Sequence, residues 1–361
     1  MGEKDMSRIF WNIERCKSTI HLFAMSLILD LGAYLFRVLT SFTTTINDHP
    51  ASPPAVIKDD EHSKCRFRLD NDSSDTFILP DGRKLGYAQY GSPNGRAILY
   101  LHGLPGSRVE AACFEELGLK LGARIIAADR PGFGWSSPHP SHTLLDHPRD
   151  LERLAEHLGE YQEADHMHLL VRSHYPMKSS RISGGGPYAL ASRLDLSDEK
   201  RLELLQQDVS SRSGSKATLS REVEKELEVM RDEDVLRLFL RTSRESFAHG
   251  CDPTVQDGRL VSTDFGFQVE DIRSDLPVQL WYGKHDSSVP LNHGVQIAAR
   301  LRGRAHLRVE DESHWSISNN RREEYLEALL RSALSSGLIL QAGSSKEGCK
   351  AKWAGKGMLR H

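Results

Sequence analysis

The middle of the chain predicts an α/β domain with a mostly parallel central sheet and helices on both faces. Between residues 76 and 335, short apolar segments alternate with longer segments of helical periodicity. The segment AILYLHG (97–103) is a continuous apolar run that ends in glycine, which is typical of a strand buried on both faces. Strands that alternate with helices of this length pair in parallel through right-handed crossovers.

The remaining elements follow in order along the chain. The predicted strands are TFIL and RKLGYAQYG around a Pro-Asp-Gly turn, then AILYLHG, ARIIAADRPG, HMHLLV, LPVQLWYG and AHLRVE. The predicted helices are RVEAACFEELGLKLG, LLDHPRDLERLAEHLG, LNHGVQIAARLRG and NNRREEYLEALLRSAL. The segment from about 193 to 262 is charged and helical with no strand, and it predicts a shortened helical cap on the domain.

The flanking regions differ from this domain in composition. Residues 1–75 contain an apolar segment at 19–42 and then a linker, and residues 336–361 form a basic, flexible, glycine-rich tail. Segment 19–42 approaches the length of a membrane span, but Asp30 and Arg37 interrupt it. Three alternatives stay open for it: a membrane-spanning or interfacial anchor, a helix packed on the domain or a partner, or a poorly ordered extension. We therefore expect a cytoplasmic protein, or one associated with a membrane through this segment.

The composition limits the classes of function. The chain has 361 residues, of which 39% are hydrophobic and 27% charged, and its formal net charge is −3. These values are typical of a globular protein and do not favour nucleic-acid binding. The five cysteines have no CxxC spacing, so they predict neither a zinc site nor a dense disulfide framework. The oligomeric state is not predicted.

Polar loops follow the predicted strands, at the edge where open α/β sheets bind ligands. They are HGLPGSR, DRPGFGWSSP, GKHDSSVP and DESHWS. Together with ISGGGPYALA, these loops place Ser183, Asp286 and His314 in that order along the chain. A serine hydroxyl needs a base to become a nucleophile, and an imidazole base needs an acid to orient it. The three residues are therefore the candidate nucleophile, acid and base.

Acyl transfer also requires two hydrogen-bond donors for the oxyanion. One candidate is the backbone N–H of Gly184, directly after the serine. The other is the N–H of Leu104, directly after the pair His102 and Gly103 in HGLPG.

Several neighbouring residues have expected supporting roles. Gly185 relieves crowding two positions after the serine, and Asp129 with Arg130 is expected to fix the DRPGFGW loop. His285 and His306 are interpreted as structural. No metal ion or organic cofactor is implied.

These motifs together resemble those of α/β-hydrolases. LPDGRKLGYAQYGSPNGRAILYLHGLPGSR, ADRPGFGWSSP, LWYGKHDSSVP and ESHWS are similar to a fungal and plant branch of the AB hydrolase-1 type. The resemblance covers residues 76–335. It implies an α/β-hydrolase fold and a serine hydrolase that cleaves a small-molecule carboxylic ester or related acyl bond through an acyl-enzyme. Esterase or lipase-like activity is the first expectation, and a peptidase is an alternative.

The chain departs from the family pattern on both sides of Ser183. In the family the fifth strand runs directly into Gly-x-Ser-x-Gly, whereas here residues 172–181 intervene and Arg181 occupies the first glycine position. After the serine the family has a further strand, but here the charged helical segment follows. We interpret these departures as an insertion and a deletion, caused by a splicing difference or a mis-predicted gene model. They leave open a catalytically impaired or non-catalytic protein of hydrolase fold. If segment 19–42 contacts a membrane, a lipid hydrolase is a third alternative.

Overall fold

The structure, a computed structural model, covers the predicted domain with several gaps. The described residues are 65–104, 106–159, 168–171, 193–213, 219–260, 267–274 and 276–336. Segment 19–42, the interval 172–192 with Ser183, and the tail after residue 336 lie outside them. Within the described ranges, no helix combines the length and the apolar character needed to cross a membrane.

A five-stranded mixed sheet forms the centre of the domain, with the strand order β1-β2-β4-β3-β5. Its strands are β1 (Ser74–Ile78), β2 (Lys84–Gly91), β3 (Arg96–Leu101), β4 (Ala123–Ala128) and β5 (His168–Val171). Strand β3 pairs in parallel with β4 and β5, so that Ile98 lies opposite Ile125 and His168. Strand β2 pairs antiparallel with β1 and β4. The predicted α/β architecture with parallel pairing at its centre is confirmed.

A second sheet consists of two parallel strands, β6 (Val278–Gly283) and β7 (Ala305–Glu310), with Val278 opposite Ala305. Between β5 and β6 the described residues form helices and no strand, and no backbone ladder joins the two sheets there. The insertion and the deletion themselves stay predictions, because residues 172–192 lie outside the described ranges.

The helices surround both sheets. They are α1 (Glu115–Leu121), α2 (Asp146–His157), α3 (Asp198–Ser213), α4 (Arg221–Met230), α5 (Glu233–Ser246), α6 (Asp252–Leu260), α7 (Leu291–Arg300), α8 (His314–Asn320) and α9 (Arg322–Ser336). Helices α3 to α6 occupy the segment predicted to be a cap, and its role as a cap stays a prediction.

Two regions differ from the sequence-based expectation. The predicted helix over 108–122 is a 3₁₀ helix at Arg108–Phe114 followed by α1. The DESHWS segment, expected as a loop, instead starts α8 with His314 as its first residue. The reason is a capping box: the Ser313 hydroxyl accepts from the Ser316 N–H (3.3 Å), and the Ser316 hydroxyl accepts from the Ser313 N–H (2.7 Å).

The two faces of the main sheet enter different hydrophobic cores. On β3 and β4, Ile98 and Ile125 pack into one core, whereas Ile126 on the opposite face packs into the other. Burial on both faces explains the continuous apolar runs of these strands. The first core continues through Trp281 of β6 and Leu326 of α9, so side chains join the two sheets.

A third core lies among α3, α4 and α5. Leu205, Leu227 and Leu240 are buried there, together with Trp315 of α8. The ring of Phe239 meets Trp315 edge-on, with 4.8 Å between the ring centroids. The helical segment therefore packs directly on the residue that follows His314.

Candidate active site

The structure brings Asp286 and His314 together beyond the ends of β6 and β7. His314 Nδ1 lies 2.8 Å from Asp286 Oδ2, and each side chain is only 6% exposed. The other carboxylate oxygen accepts from the backbone N–H groups of Ser288 (2.8 Å) and Val289 (2.7 Å). Because an ionised carboxylate only accepts, the imidazole donates from Nδ1 and its neutral form carries the lone pair on Nε2. That tautomer is the one a general base requires.

Gly283 allows the acid loop and the base loop to approach each other. A Cβ atom at this position would lie 2.5 Å from the carbonyl oxygen of Glu312. Backbone pairing continues past the strands, since Lys284 N–H donates to Glu310 O (2.8 Å) and His285 N–H donates to Glu312 O (3.0 Å). The next residue is Asp286, which this pairing holds beside the start of α8.

The side chain of His102 contacts the candidate oxyanion loop. It is buried, with Nδ1 2.9 Å from Gly103 O, and its Nε2 accepts from the Arg130 N–H at 3.2 Å. Burial, and then the positive charge of Arg130, lower the pKa of His102 well below the ordinary histidine value. A neutral imidazole with a hydrogen bond at each ring nitrogen is suited to fixing a loop rather than to transferring protons.

The HGLPG turn is held tightly from several sides. Arg130 Nη2 donates to Gly103 O (2.6 Å), and the Gly103 N–H donates to Glu110 Oε2 (3.3 Å). At Gly106 a Cβ atom would lie 2.8 Å from both the Gly103 oxygen and His102 Nδ1, so no larger residue fits without a shift. Leu104, the predicted oxyanion donor, is half-buried in this turn.

Asp129 lies fully buried at the end of β4. It accepts from the backbone N–H groups of Arg108 (2.7 Å) and Trp135 (2.9 Å), and it forms an ion pair with the Arg108 guanidinium at 3.0 Å. Burial raises the pKa of Asp129 against the opposing effect of Arg108. These contacts join the loop after β4 to Arg108 and Trp135, and the loop-fixing role of Asp129 stays a prediction.

The predicted site is therefore described in part. Asp286 and His314 are in contact, and the described residues include 102–104 and Gly106 of the HGLPG segment, whereas Ser183, Gly184 and Gly185 lie outside them. In the described ranges, no group of three or more His, Cys, Asp or Glu side chains has the arrangement of a metal site.

Sequence reasoning did not identify three charged residues at the site. Glu226 of α4 accepts from the backbone N–H of Trp315 (3.0 Å), Asp257 of α6 pairs with Arg130 (3.1 Å), and Glu110 holds the Gly103 N–H. Glu226 and Asp257 come from the segment predicted to be a charged cap, and Glu110 comes from the predicted helix RVEAACFEELGLKLG, so no local pattern distinguishes them.

Comparison with known protein families matches one part of the chain. Residues 96–162, which include β3, β4 and α2, match the family model described as alpha/beta hydrolase fold. The matched residues include the parallel pair β3 and β4 at the centre of the main sheet. This part of the chain is similar to the α/β-hydrolase fold family, and the described sheets and helices form an α/β architecture.

The similarity to individual proteins is either low in sequence identity or confined to a short alignment. A protein of Mycoplasma pneumoniae, named provisionally as a proline iminopeptidase, is 35% identical over 81 residues. This stretch is 22% of the chain and 26% of that relative, so the chain aligns with about a quarter of the relative's length.

Solved structures similar to this chain include two bacterial proteins. An esterase from Exiguobacterium antarcticum is 16% identical, covers 72% of this chain and 98% of its own, and has a TM-score of 0.47. An alpha/beta hydrolase fold protein from Nakamurella multipartita is 18% identical, covers 71% of this chain and 99% of its own, and has a TM-score of 0.48.

Proposed function

We propose that this chain is a serine hydrolase that cleaves a carboxylic ester or a related acyl bond through an acyl-enzyme. The observation that carries the proposal is the 2.8 Å contact between His314 Nδ1 and Asp286 Oδ2. It joins two loops that follow successive parallel strands, in the Ser, Asp, His chain order of the α/β-hydrolases.

In this mechanism Ser183 Oγ attacks the carbonyl carbon while its proton passes to Nε2 of His314. The backbone N–H groups of Leu104 and Gly184 bind the oxyanion of the tetrahedral intermediate. The imidazolium returns the proton to the leaving alcohol, and a water molecule activated by the same base then hydrolyses the acyl-enzyme. Asp286 holds the tautomer and stabilises the imidazolium in both half-reactions.

Two alternatives to an esterase have support. The name of the Mycoplasma pneumoniae relative refers to peptide substrates, which favours a peptidase as the second activity to assay. Arg181 and the break between the two described sheets favour a catalytically impaired protein of hydrolase fold. Membrane contact through residues 19–42 and the cellular location stay predictions from the sequence.

Active-site labelling tests the proposal directly. We expect a fluorophosphonate probe to label the full-length wild type, and Ser183→Ala to abolish labelling because the probe reacts only with an activated serine. The matched control is Ser180→Ala, which removes a nearby serine outside the motif and is expected to label like the wild type. A well-folded wild type that the probe does not label would rule out the serine hydrolase and favour the non-catalytic alternative.

A further inference from the structure

Helix α4 contacts both loops of the acid–base pair. Glu222 and Glu226 are four residues apart and therefore lie on the same face of the helix. Glu222 Oε1 accepts from the hydroxyl (2.6 Å) and the N–H (3.1 Å) of Ser287, the neighbour of Asp286. Glu226 Oε1 accepts from the N–H of Trp315, the neighbour of His314, at 3.0 Å.

The two contacts differ in their access to solvent. Ser287 is exposed, whereas Glu226 is 9% exposed and the Trp315 N–H that it accepts is buried. A buried carboxylate is costly unless hydrogen bonds or an opposite charge compensate it. The buried Glu226 carboxyl group therefore changes the electrostatic environment of the groups around it, which include the His314–Asp286 pair.

The charges around Glu226 identify which group it acts on. Burial raises the pKa of Glu226, and the negative charge of Asp286 adds to the rise. Hydrogen bonding from Ser313 and Trp315 and the His314 imidazole oppose it. Because a charge–charge interaction is reciprocal, an ionised Glu226 favours the imidazolium form of His314 to the same extent.

Other charged groups near α8 have partners of their own. Glu312 lies 3.6 Å from Lys225 and 3.4 Å from Arg321, Arg321 pairs with Glu324 (2.7 Å), and His285 pairs with Asp311 (2.7 Å). From β6, the phenol of Tyr282 is buried, and its pKa is raised by that burial and by Asp286. Asp286 contacts the His314 imidazole directly, whereas Glu226 is linked to the neighbouring residue from α4 through the Trp315 N–H.

We propose that Glu226 is a positioning residue for His314, which fixes the first turn of α8 and adds a second carboxylate beside the His314–Asp286 pair. The proposal rests on the proposed serine-hydrolase function, because it assigns α4 to the support of that base. When the serine proton moves to Nε2, Asp286 stabilises the imidazolium directly, and an ionised Glu226 adds to this stabilisation from α4.

The test compares Glu226→Gln with Glu224→Gln in the full-length protein. The glutamine at 226 keeps the acceptor for the Trp315 N–H and removes only the charge. Glu224 is an exposed residue of the same helix and pairs with Arg221 (3.2 Å), so it is the matched control. NMR titration of the ¹⁵N-labelled His314 ring, assigned with a His314→Gln variant, measures the midpoint of imidazole protonation without requiring activity.

We expect Glu226→Gln to lower this midpoint by about one pH unit and Glu224→Gln to leave it unchanged. The acidic limb of the kcat/KM profile is expected to move in the same direction, with KM unaltered. Glu226→Asp, which keeps the charge, should retain a midpoint closer to that of the wild type.

An unchanged midpoint in Glu226→Gln overturns the proposal, and so does an equal shift in Glu226→Asp. The NMR midpoint also distinguishes a failure of the role of Glu226 from a failure of the proposed hydrolase function. If the wild type is not labelled by a fluorophosphonate but the midpoint still falls in Glu226→Gln, the proposed hydrolase function fails and the role of Glu226 stands.

Discussion

The carboxylate of Asp286 uses its two oxygens in different ways. Backbone N–H groups of Ser288 and Val289 hold Oδ1, which leaves Oδ2 directed at His314 Nδ1. This asymmetry makes the residue sensitive to a change that keeps its shape. An amide at this position keeps the Oδ1 acceptor for the backbone and turns an N–H donor toward the imidazole.

We therefore expect Asp286→Asn to lower kcat for ester hydrolysis by about 10³–10⁴-fold, because the imidazole is driven into the tautomer with its proton on Nε2. KM should change little, since no substrate contact is removed. Steady-state kinetics on a p-nitrophenyl ester measure the effect. Asp311→Asn, which alters an exposed carboxylate of the neighbouring loop, is the control, and a wild-type rate in Asp286→Asn would contradict the role of the acid.

Helix α5 attaches to the main sheet through a buried ion pair network. Arg108, fully buried, lies 3.0 Å from Asp129 and 2.8 Å from Glu245 of α5, and its guanidinium stacks over Trp135 at 4.0 Å. Burial tends to raise the pKa of Glu245, but Arg241 and Arg108 outweigh it, so the pKa is lowered. Glu245 therefore stays ionised and depends on its arginine partners.

Replacing Arg108 by methionine leaves two buried carboxylates without one of their cations. We expect a loss of about 3–5 kcal/mol in the free energy of unfolding, the usual cost of breaking a buried ion pair from one side. Urea unfolding at neutral pH measures it. Adding Glu245→Gln in the same chain is expected to recover part of the loss.

The control for this prediction is Arg153→Met, which removes an exposed pair with Glu156 and should change stability by less than about 1 kcal/mol. Equal losses in Arg108→Met and Arg153→Met would show that the network does not attach α5 to the sheet.

For the whole molecule, buried histidines make stability depend on pH; one is His102, and a second is His147. Both ring nitrogens of His147 lack a hydrogen-bond partner among the described residues, and burial together with Arg130 lowers its pKa to about 3. In the unfolded chain a histidine titrates near about 6.5. Between these values the unfolded state binds more protons, so stability falls as the pH drops from about 6.5 toward 3.

We expect His147→Leu to reduce the loss of stability at low pH. The difference between the two proteins in the free energy of unfolding should grow toward acid pH, to several kcal/mol, on the order of the full pKa shift of His147. Denaturant unfolding at a series of pH values measures the slope. His306→Leu, at an exposed position, serves as the control. Parallel slopes in the wild type and His147→Leu would show that His147 is not the group that titrates.

Local patterns in the chain predict much of this architecture. The apolar runs at β3 and β4 and the glycine-bounded loops locate the strand ends, and from them the pairing of Asp286 with His314 follows. The absence of a strand after Ser183 stays a prediction, which rests on the charged helical pattern of the segment that follows. Periodicity and turn residues act over a few neighbouring positions, so a linear pattern can reveal them.

Other features depend on contacts that no local pattern encodes. Glu226 and Trp315 are 89 residues apart, and Arg108 and Glu245 are 137 apart. Each of these carboxylates lies in a segment with the charge pattern of a solvated helix. Their burial depends on how α4 and α5 pack against the sheet and α8. This packing involves many residues that are distant in the sequence. The amino-acid sequence alone therefore determines the alternation of strands and helices, the loops and the order of the candidate triad. That Glu226 lies beside the residue after His314 and that α5 attaches to the main sheet is determined by the tertiary structure, because both depend on the packing of distant helices.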